Sequence, residues 1–304
     1  MAPRKLLLAL ATALLGSLLR AEMYVSTNFT GTSAPGWTFV TTAASLTANT
    51  GTDPAGQGWL RLTDDKTWQQ SFVYCNTALP TAAGLVFTFD FVVWGAATSL
   101  ADGLALAVFD AAVTPGAGGY GGSLGYAQRT GINGLAGGIV GFGFDTFGNF
   151  SNPTEGRIGG PGLVKNAISI RGSMGATRLD GYQYVTGTSS LGSFSTGNAD
   201  SRDDAVVHTV RITIPTDKKI SIEWKIPDGE WVKLIDKYQC SLTCPGAVKF
   251  GFTAGTGGLS SNQEIRNLSV TSVPEPAGLA LALIAAGVLM IPPRRPGKGS
   301  HNTF

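Results

Sequence analysis

Apolar and polar residues alternate with a period of two along much of this chain. The clearest run is residues 85–94, where Leu85, Phe87, Phe89, Phe91 and Val93 fall on one side and Thr88 and Asp90 on the other. Residues 205–215 repeat the pattern with His208, Val210, Ile212 and Ile214 in phase, which groups His208 with the core. Residues 220–226 alternate again, and Pro227-Asp228-Gly229 turns the chain into a partner strand at 231–235. Shorter apolar runs at 59–62, 71–74, 104–109, 139–144, 167–171, 248–253 and 265–271 are bounded by Gly, Ser, Thr and Asn. Residues 172–204 are polar and Gly/Ser-rich, which reads as loop or irregular edge structure. Short strands without helical heptads predict an all-β, antiparallel two-sheet sandwich of jelly-roll type.

The two ends differ from this pattern. At residues 1–21, Arg4 and Lys5 precede an apolar run over 6–19, the layout of a secretory signal helix ending at Ala21. At residues 273–304, Val273-Pro-Glu-Pro276 leads into an apolar run over 277–291, closed by Arg294 and Arg295. An apolar span followed by basic residues is how a membrane anchor helix stops, with its positive end cytoplasmic. Residues 22–272 are then the globular domain.

Composition narrows the classes. Glycine supplies 42 of 304 residues, about twice the usual share, without a collagen period. Charged residues are 14%, the net charge is +2, and no internal Lys/Arg cluster is interleaved with aromatics, so nucleic acid is not an expected partner. Three cysteines, Cys75, Cys240 and Cys244, leave one unpaired if two bridge. Cys240 and Cys244 either close a small ring in an oxidising compartment or remain thiols.

The chemistry centres on residues 138–157. An apolar strand ends at the carboxylate of Asp145, and Asn149 follows four residues later among turn formers. That spacing suits a hard cation bound by carboxylate, amide and carbonyl oxygens, and it equally suits a polar loop after a core strand. Asp102 precedes the strand at 104–109, placed either to receive a sugar hydroxyl or to cap a turn. Residues 115–126 form a glycine-rich loop without the Gly-Lys-Ser/Thr of a phosphate cradle; its amides can approach a ligand closely.

Two family resemblances cover most of the chain. The C-terminal stretch resembles the PEP-CTERM sorting signal of bacterial surface and exopolysaccharide proteins. With the signal peptide, that implies an exported protein of a Gram-negative bacterium, held transiently in the inner membrane and processed by an exosortase-type enzyme. Residues 22–272 resemble the L-type (legume-type) lectins through four motifs in order. Ala101-Asp-Gly-Leu-Ala105 resembles the aspartate motif, in which a cis peptide aims the carboxylate at the sugar. Gly121-Gly-Ser-Leu-Gly125 resembles the second sugar loop, with Gly122 as amide donor. Phe144-Asp-Thr-Phe-Gly-Asn149 resembles the calcium loop, and Thr256-Gly-Gly-Leu259 the fourth loop, in the form found in animal cargo-receptor lectins.

The resemblance implies a concanavalin A-like sandwich. It implies glycan or exopolysaccharide binding at Asp102, Gly122, Phe147, Asn149, Gly257, Gly258 and Leu259. It also implies one calcium ion on Asp145, the Phe147 carbonyl and Asn149, completed by Glu155 or Asp180. The family's transition-metal site places a Glu two residues before the aspartate and a His downstream. Here those positions hold Gly143 and Arg157, and a guanidinium cannot ligate a metal, so no transition metal is expected. The family's Asp-Pro stands here as Asn152-Pro153.

Three function classes follow: a cell-surface carbohydrate-binding protein, a structural matrix protein whose lectin fold no longer binds sugar, and a glycoside hydrolase. Hydrolysis needs two carboxylates about 5–5.5 Å or 6.5–9.5 Å apart. No strand carries Glu-x-Asp-x-x-Glu, and Asp90, Asp145 and Glu223 have no acidic partner on their strands, so a non-enzyme is expected.

Overall fold

The computed structural model describes residues 21–192 and 194–274. The expected signal helix (except Ala21) and the sorting segment beyond Pro274 lie outside the described residues.

The alternating run becomes the strand Leu85–Gly95, central in one sheet because its apolar side has a second sheet to pack on. That first sheet runs Val232–Gln239, Lys219–Lys225, His208–Ile214, Leu85–Gly95, Asn262–Thr271, Leu60–Thr63, Ser45–Leu46. Met23–Thr27 adds to it beside Asn262–Thr271. The second sheet runs Tyr184–Gly187, Ala167–Arg171, Gly138–Asp145, Gly103–Asp110, Ala247–Gly255, Gln70–Cys75, Trp37–Phe39. Leu79–Pro80 joins it beside Ala247–Gly255. The pairings are antiparallel except for Thr196–Gly197, a two-residue strand parallel to Leu85–Gly95. The only helical turns among the described residues are Gly121–Ser123 and Arg202–Asp204. Residues 172–204 thus contribute two short edge strands, as their composition suggests.

Aromatic rings join the sheets. Phe87 meets Phe250 at 5.2 Å between centroids, Phe89 meets Phe252 at 5.0 Å, and Phe91 meets Phe144 at 4.7 Å. Buried aromatic pairs at this separation add to the area they remove from water. His208 belongs to this layer. Its ring is buried, stacked on Phe91 at 5.3 Å and tilted against Trp224 at 4.6 Å. The three cysteines are unbridged, so Cys240 and Cys244 remain thiols.

The second sheet is buried on both faces, which its sequence shows as near-continuous apolarity. On its outer face, loops bring Tyr126, Leu124, Phe150 and Tyr182 into a smaller core with Phe72, Ala105, Ala107 and Phe109. The glycines of Gly138–Asp145 make room for them. A Cβ on Gly141 would collide with the Tyr126 ring, and one on Gly143 with the Phe150 ring. These loops build the end of the sandwich where the candidate site lies.

The strands at the sheet edges differ in length, and Met23–Thr27, paired on one side only, has five residues. Ser45–Leu46, Trp37–Phe39 and Tyr184–Gly187 are two to four residues long. Val232–Gln239 is eight residues long, mostly exposed, and carries Lys233, Asp236 and Lys237.

His208 gives the fold an acid limit. Burial lowers its pKa from 6.5 to about 4. A group lowered in this way contributes stability that is complete above the unfolded value and lost as pH falls through 6.5 towards 4. We expect urea-unfolding free energies to fall by about 3 kcal/mol from this group between neutral pH and pH 4. In the variant His208→Phe that component should be absent. An unchanged acid slope in the variant would assign the loss to other groups.

Candidate functional site

The site is built from two adjacent strand ends. Gly103–Asp110 and Gly138–Asp145 pair so that Gly103 lies opposite Asp145, which brings Asp102 and Asp145 to the same end of the sheet. The Ala101–Asp102 peptide is cis, the geometry implied by the sequence resemblance. Its flanks are fastened by backbone bonds. Asp102 N–H donates to the Gly255 carbonyl (3.1 Å), and the Asp102 carbonyl accepts from Thr146 N–H (2.9 Å) and Phe147 N–H (3.2 Å). The Ser261 hydroxyl donates to the Ala101 carbonyl at 3.0 Å. Gly103 has φ +147°, and a Cβ there would strike the Phe144 carbonyl, so only glycine fits.

Above Asp102 lies an open hollow of about 220 Å³, lined by Asp102, Gly121, Gly122, Phe147, Asn149, Gly257, Gly258 and Leu259 together with Trp68, Arg129 and Glu155. It is smaller than the roughly 300–1,000 Å³ of pockets that enclose a drug-sized ligand. All seven residues expected to touch sugar line this one hollow.

Asp102 is 4% exposed, and its Oδ2 has no hydrogen-bond partner. Burial raises its pKa to about 6; the charge of Arg157 and a hydrogen bond with Asn149 act in the opposite direction. A buried acceptor without a partner is unfavourable unless a ligand supplies a donor. Gly122 sits against Asn149, and its missing Cβ is what permits the approach.

Asp145 lies beneath the hollow, fully buried. Its Oδ1 accepts from Gly148 N–H at 2.7 Å and its Oδ2 from Phe150 N–H at 2.5 Å. Burial pushes its pKa up to about 7; those two bonds and the charge of Arg157 pull it back. Of the other residues expected at calcium, Phe147 and Asn149 line the hollow above. Glu155 is held by two cations, Arg129 Nη2 at 2.7 Å and Arg157 Nη2 at 3.2 Å. Asp180 lines a separate hollow with Met174, Tyr184 and Tyr238. No group of three or more His, Cys, Asp or Glu side chains that could hold a metal occurs among the described residues.

Two residues at the hollow were not singled out from sequence. Trp68 is 62% exposed and has φ +61°. Its N–H donates to the Gly257 carbonyl at 3.1 Å, and its ring meets Tyr120 edge-on at 6.0 Å. An aromatic within the polar run Asp64-Asp65-Lys66-Thr67-Trp68-Gln69-Gln70 was the available signal. Arg129 lies over the Tyr120 ring at 4.2 Å, and nothing in its sequence neighbourhood marks it. One buried acid also went unremarked. Glu264 is fully buried on the other sheet, where it accepts from Arg61, Arg202 and Trp94. It belongs to that network and not to the hollow.

This is the fold of the L-type lectins. The luminal domain of VIP36, solved in a form bound to Ca2+ and Man3GlcNAc, superimposes with a TM-score of 0.55 at 19% identity, covering 80% of this chain and 86% of that one. The seed lectin of Lotus tetragonolobus gives 0.57 at 16% identity over 83% of this chain and 100% of that one. Lectin I-B4 of Griffonia simplicifolia, in a metal-free form, gives 0.55 at 18% identity over 82% and 100%. No protein-family model and no curated protein matches the chain by sequence.

Gly122 allows a direct test of this geometry. A Cβ at that position would overlap Asn149 Cβ, and Asn149 lines the hollow beside Asp102. Gly122→Ala should lower the melting temperature and displace Asn149, visible as altered Asn149 side-chain amide resonances by NMR. Unmoved Asn149 resonances would show that the two loops are not in this contact.

Proposed function

We propose that this protein is an exported carbohydrate-binding protein of the cell surface or exopolysaccharide matrix, which takes one residue of a glycan into the Asp102 hollow. The observation that carries the reading is Asp102, buried with an unpartnered Oδ2, in the wall of a hollow it shares with Gly122, Asn149, Trp68, Phe147 and Leu259. A sugar presents vicinal hydroxyls with C–H surface beside them. Asp102 can accept from a hydroxyl, the Gly122 amide and the Asn149 amide can donate, and Trp68, Phe147 and Leu259 can cover the apolar face. The lectins that share the fold bind glycans, Man3GlcNAc in one and GalNAc in another, which supports the class of ligand. They are not enzymes, in keeping with a binding role here. Export rests on the signal segment, and anchoring with exosortase processing on the Pro-Glu-Pro segment.

Calcium accompanies the glycan in the VIP36 structure. In this chain the residues expected at that ion are Asp145, the Phe147 carbonyl and the Asn149 amide oxygen. The set is too small for an ion that takes 6–8 oxygens. Both Asp145 oxygens already accept backbone N–H groups, Glu155 is paired to two arginines, and Asp180 lies elsewhere. The residues present do not fit the ion, and the recognition proposed here runs through Asp102, Gly122 and Asn149.

Asp102→Asn keeps the shape and removes the charge. On a glycan array, its affinity for every recognised glycan should fall by roughly 1.5–3 kcal/mol, the scale of a hydrogen bond to a charged group, with the melting temperature held or raised. Parent-like affinity in the variant would place the binding site elsewhere. Release of free sugar from an array-positive glycan would replace the binding reading with a hydrolase.

A further inference from the structure

The loop that follows Asp145 has an internal source of positive charge. Arg157 is 3% exposed, and its guanidinium reaches four partners. Nη1 donates to Ser123 Oγ at 3.0 Å, Nη2 to Thr154 Oγ1 at 3.1 Å and to Glu155 Oε2 at 3.2 Å, and Nε to the Asn152 carbonyl at 3.3 Å. Ser123 belongs to the Gly121–Ser123 turn, which carries Gly122. One side chain therefore ties the turn that supplies the sugar-facing amide to the loop that supplies Asn149. The chain of charge continues outward from Arg157 through Glu155 to Arg129 and the Tyr120 ring.

A second guanidinium holds the same loop from below. Arg171 is fully buried on strand Ala167–Arg171. It donates to the carbonyls of Phe150 (2.6 Å), Ile158 (2.8 Å), Tyr182 (2.9 Å) and Gly159 (3.4 Å), and lies over the Phe150 ring at 5.3 Å. Phe150 in turn fills the space above Gly143. Fixing several loops at one point and offsetting buried carboxylates is what a bound cation does in a loop-built site. Here protein groups fix the loops: Arg157 joins the Ser123 turn to Asn152, Thr154 and Glu155, and Arg171 satisfies the carbonyls of Phe150, Ile158, Gly159 and Tyr182.

We propose that Arg157, seconded by Arg171, acts as the internal cation of this site, so that the loops carrying Gly122 and Asn149 are ordered, and glycan is bound, without calcium. The last clause rests on the carbohydrate reading above; the first does not. Arg157 is a positioning residue, acting on the ligand through Ser123 and the 149–155 loop.

The test uses the full-length protein, dialysed against EDTA and then measured with and without millimolar calcium chloride. Hydrogen exchange over residues 121–128 and 148–157, and the melting temperature, should be the same in both conditions. A rise of about 5 °C or more on adding calcium, the size expected for an ion well above its dissociation constant, would overturn the proposal. Added exchange protection of either loop would do the same. Arg157→Met should increase exchange in those two segments and leave the Leu85–Gly95 strand protected, and Arg157→Lys, which keeps the charge without the fork, should restore part of the protection. Parent-like protection of the loops in Arg157→Met would also overturn it. If Arg157→Met is not recovered folded, the calcium comparison on the parent decides alone. On a glycan array the parent should bind equally with and without EDTA, and binding abolished by EDTA would overturn the proposal. If no glycan is bound in either condition while melting and exchange ignore calcium, the carbohydrate reading fails and the arginine assignment stands.

Discussion

Two carboxylates buried at the end of one sheet set the terms for the rest of the structure. Asp145 is placed by the strand Gly138–Asp145, and Asp102 by the pairing of Gly103 with Asp145. Neither can be withdrawn from water without compensation, because an isolated buried charge is among the most unfavourable things a fold can contain. For Asp145, compensation comes from the Gly148 and Phe150 amides of the loop itself. The loop's path is the one that delivers these groups. Because Asp145 binds the amides of Gly148 and Phe150, the chain must turn sharply, and Gly148 at φ +101° allows it to do so against the backbone of Val164 and Lys165. The turn then lays the Phe150 ring on Gly143 and opens the hollow above Asp102.

The sheet beneath is suited to this because it is buried twice. Its inner face meets the first sheet through Phe144, Phe250 and Phe252; its outer face meets loop residues Tyr126, Phe150 and Tyr182. Fixed on both sides, the strand ends have little freedom to drift. A weakly enclosing hollow benefits most from such rigidity, since its walls need little further ordering when a ligand arrives.

Much of this was legible in the sequence, for a physical reason in each case. Period-two alternation marks strands with one buried face, so 85–94 and 205–215 were readable directly, and His208 was correctly grouped with the core. The glycines of 138–145 showed a strand without showing why glycine is needed, because the rings that press on Gly141 and Gly143 come from residues remote in sequence. Motif order brought Asp102, Gly122, Asn149 and the 257–259 loop to one place. Trp68 escaped because it reaches the hollow through a bond to Gly257, a residue remote from it in sequence. The sequence excluded Arg157 as a metal ligand, but its service as a cation could not be read, since that depends on Ser123, Asn152 and Glu155 converging on it in three dimensions.

The sheet edges carry a consequence for life at high local density. An unpaired edge is a template on which a neighbouring molecule can extend the sheet, and crowded copies would then polymerise through their backbones. Four edge strands here, Met23–Thr27 among them, offer two to five residues each. The longest edge strand, Val232–Gln239, presents Lys233, Asp236 and Lys237 to any approaching strand, and burying those charges would oppose the added hydrogen bonds. Molecules with such edges can stand side by side while each keeps its own backbone hydrogen bonds.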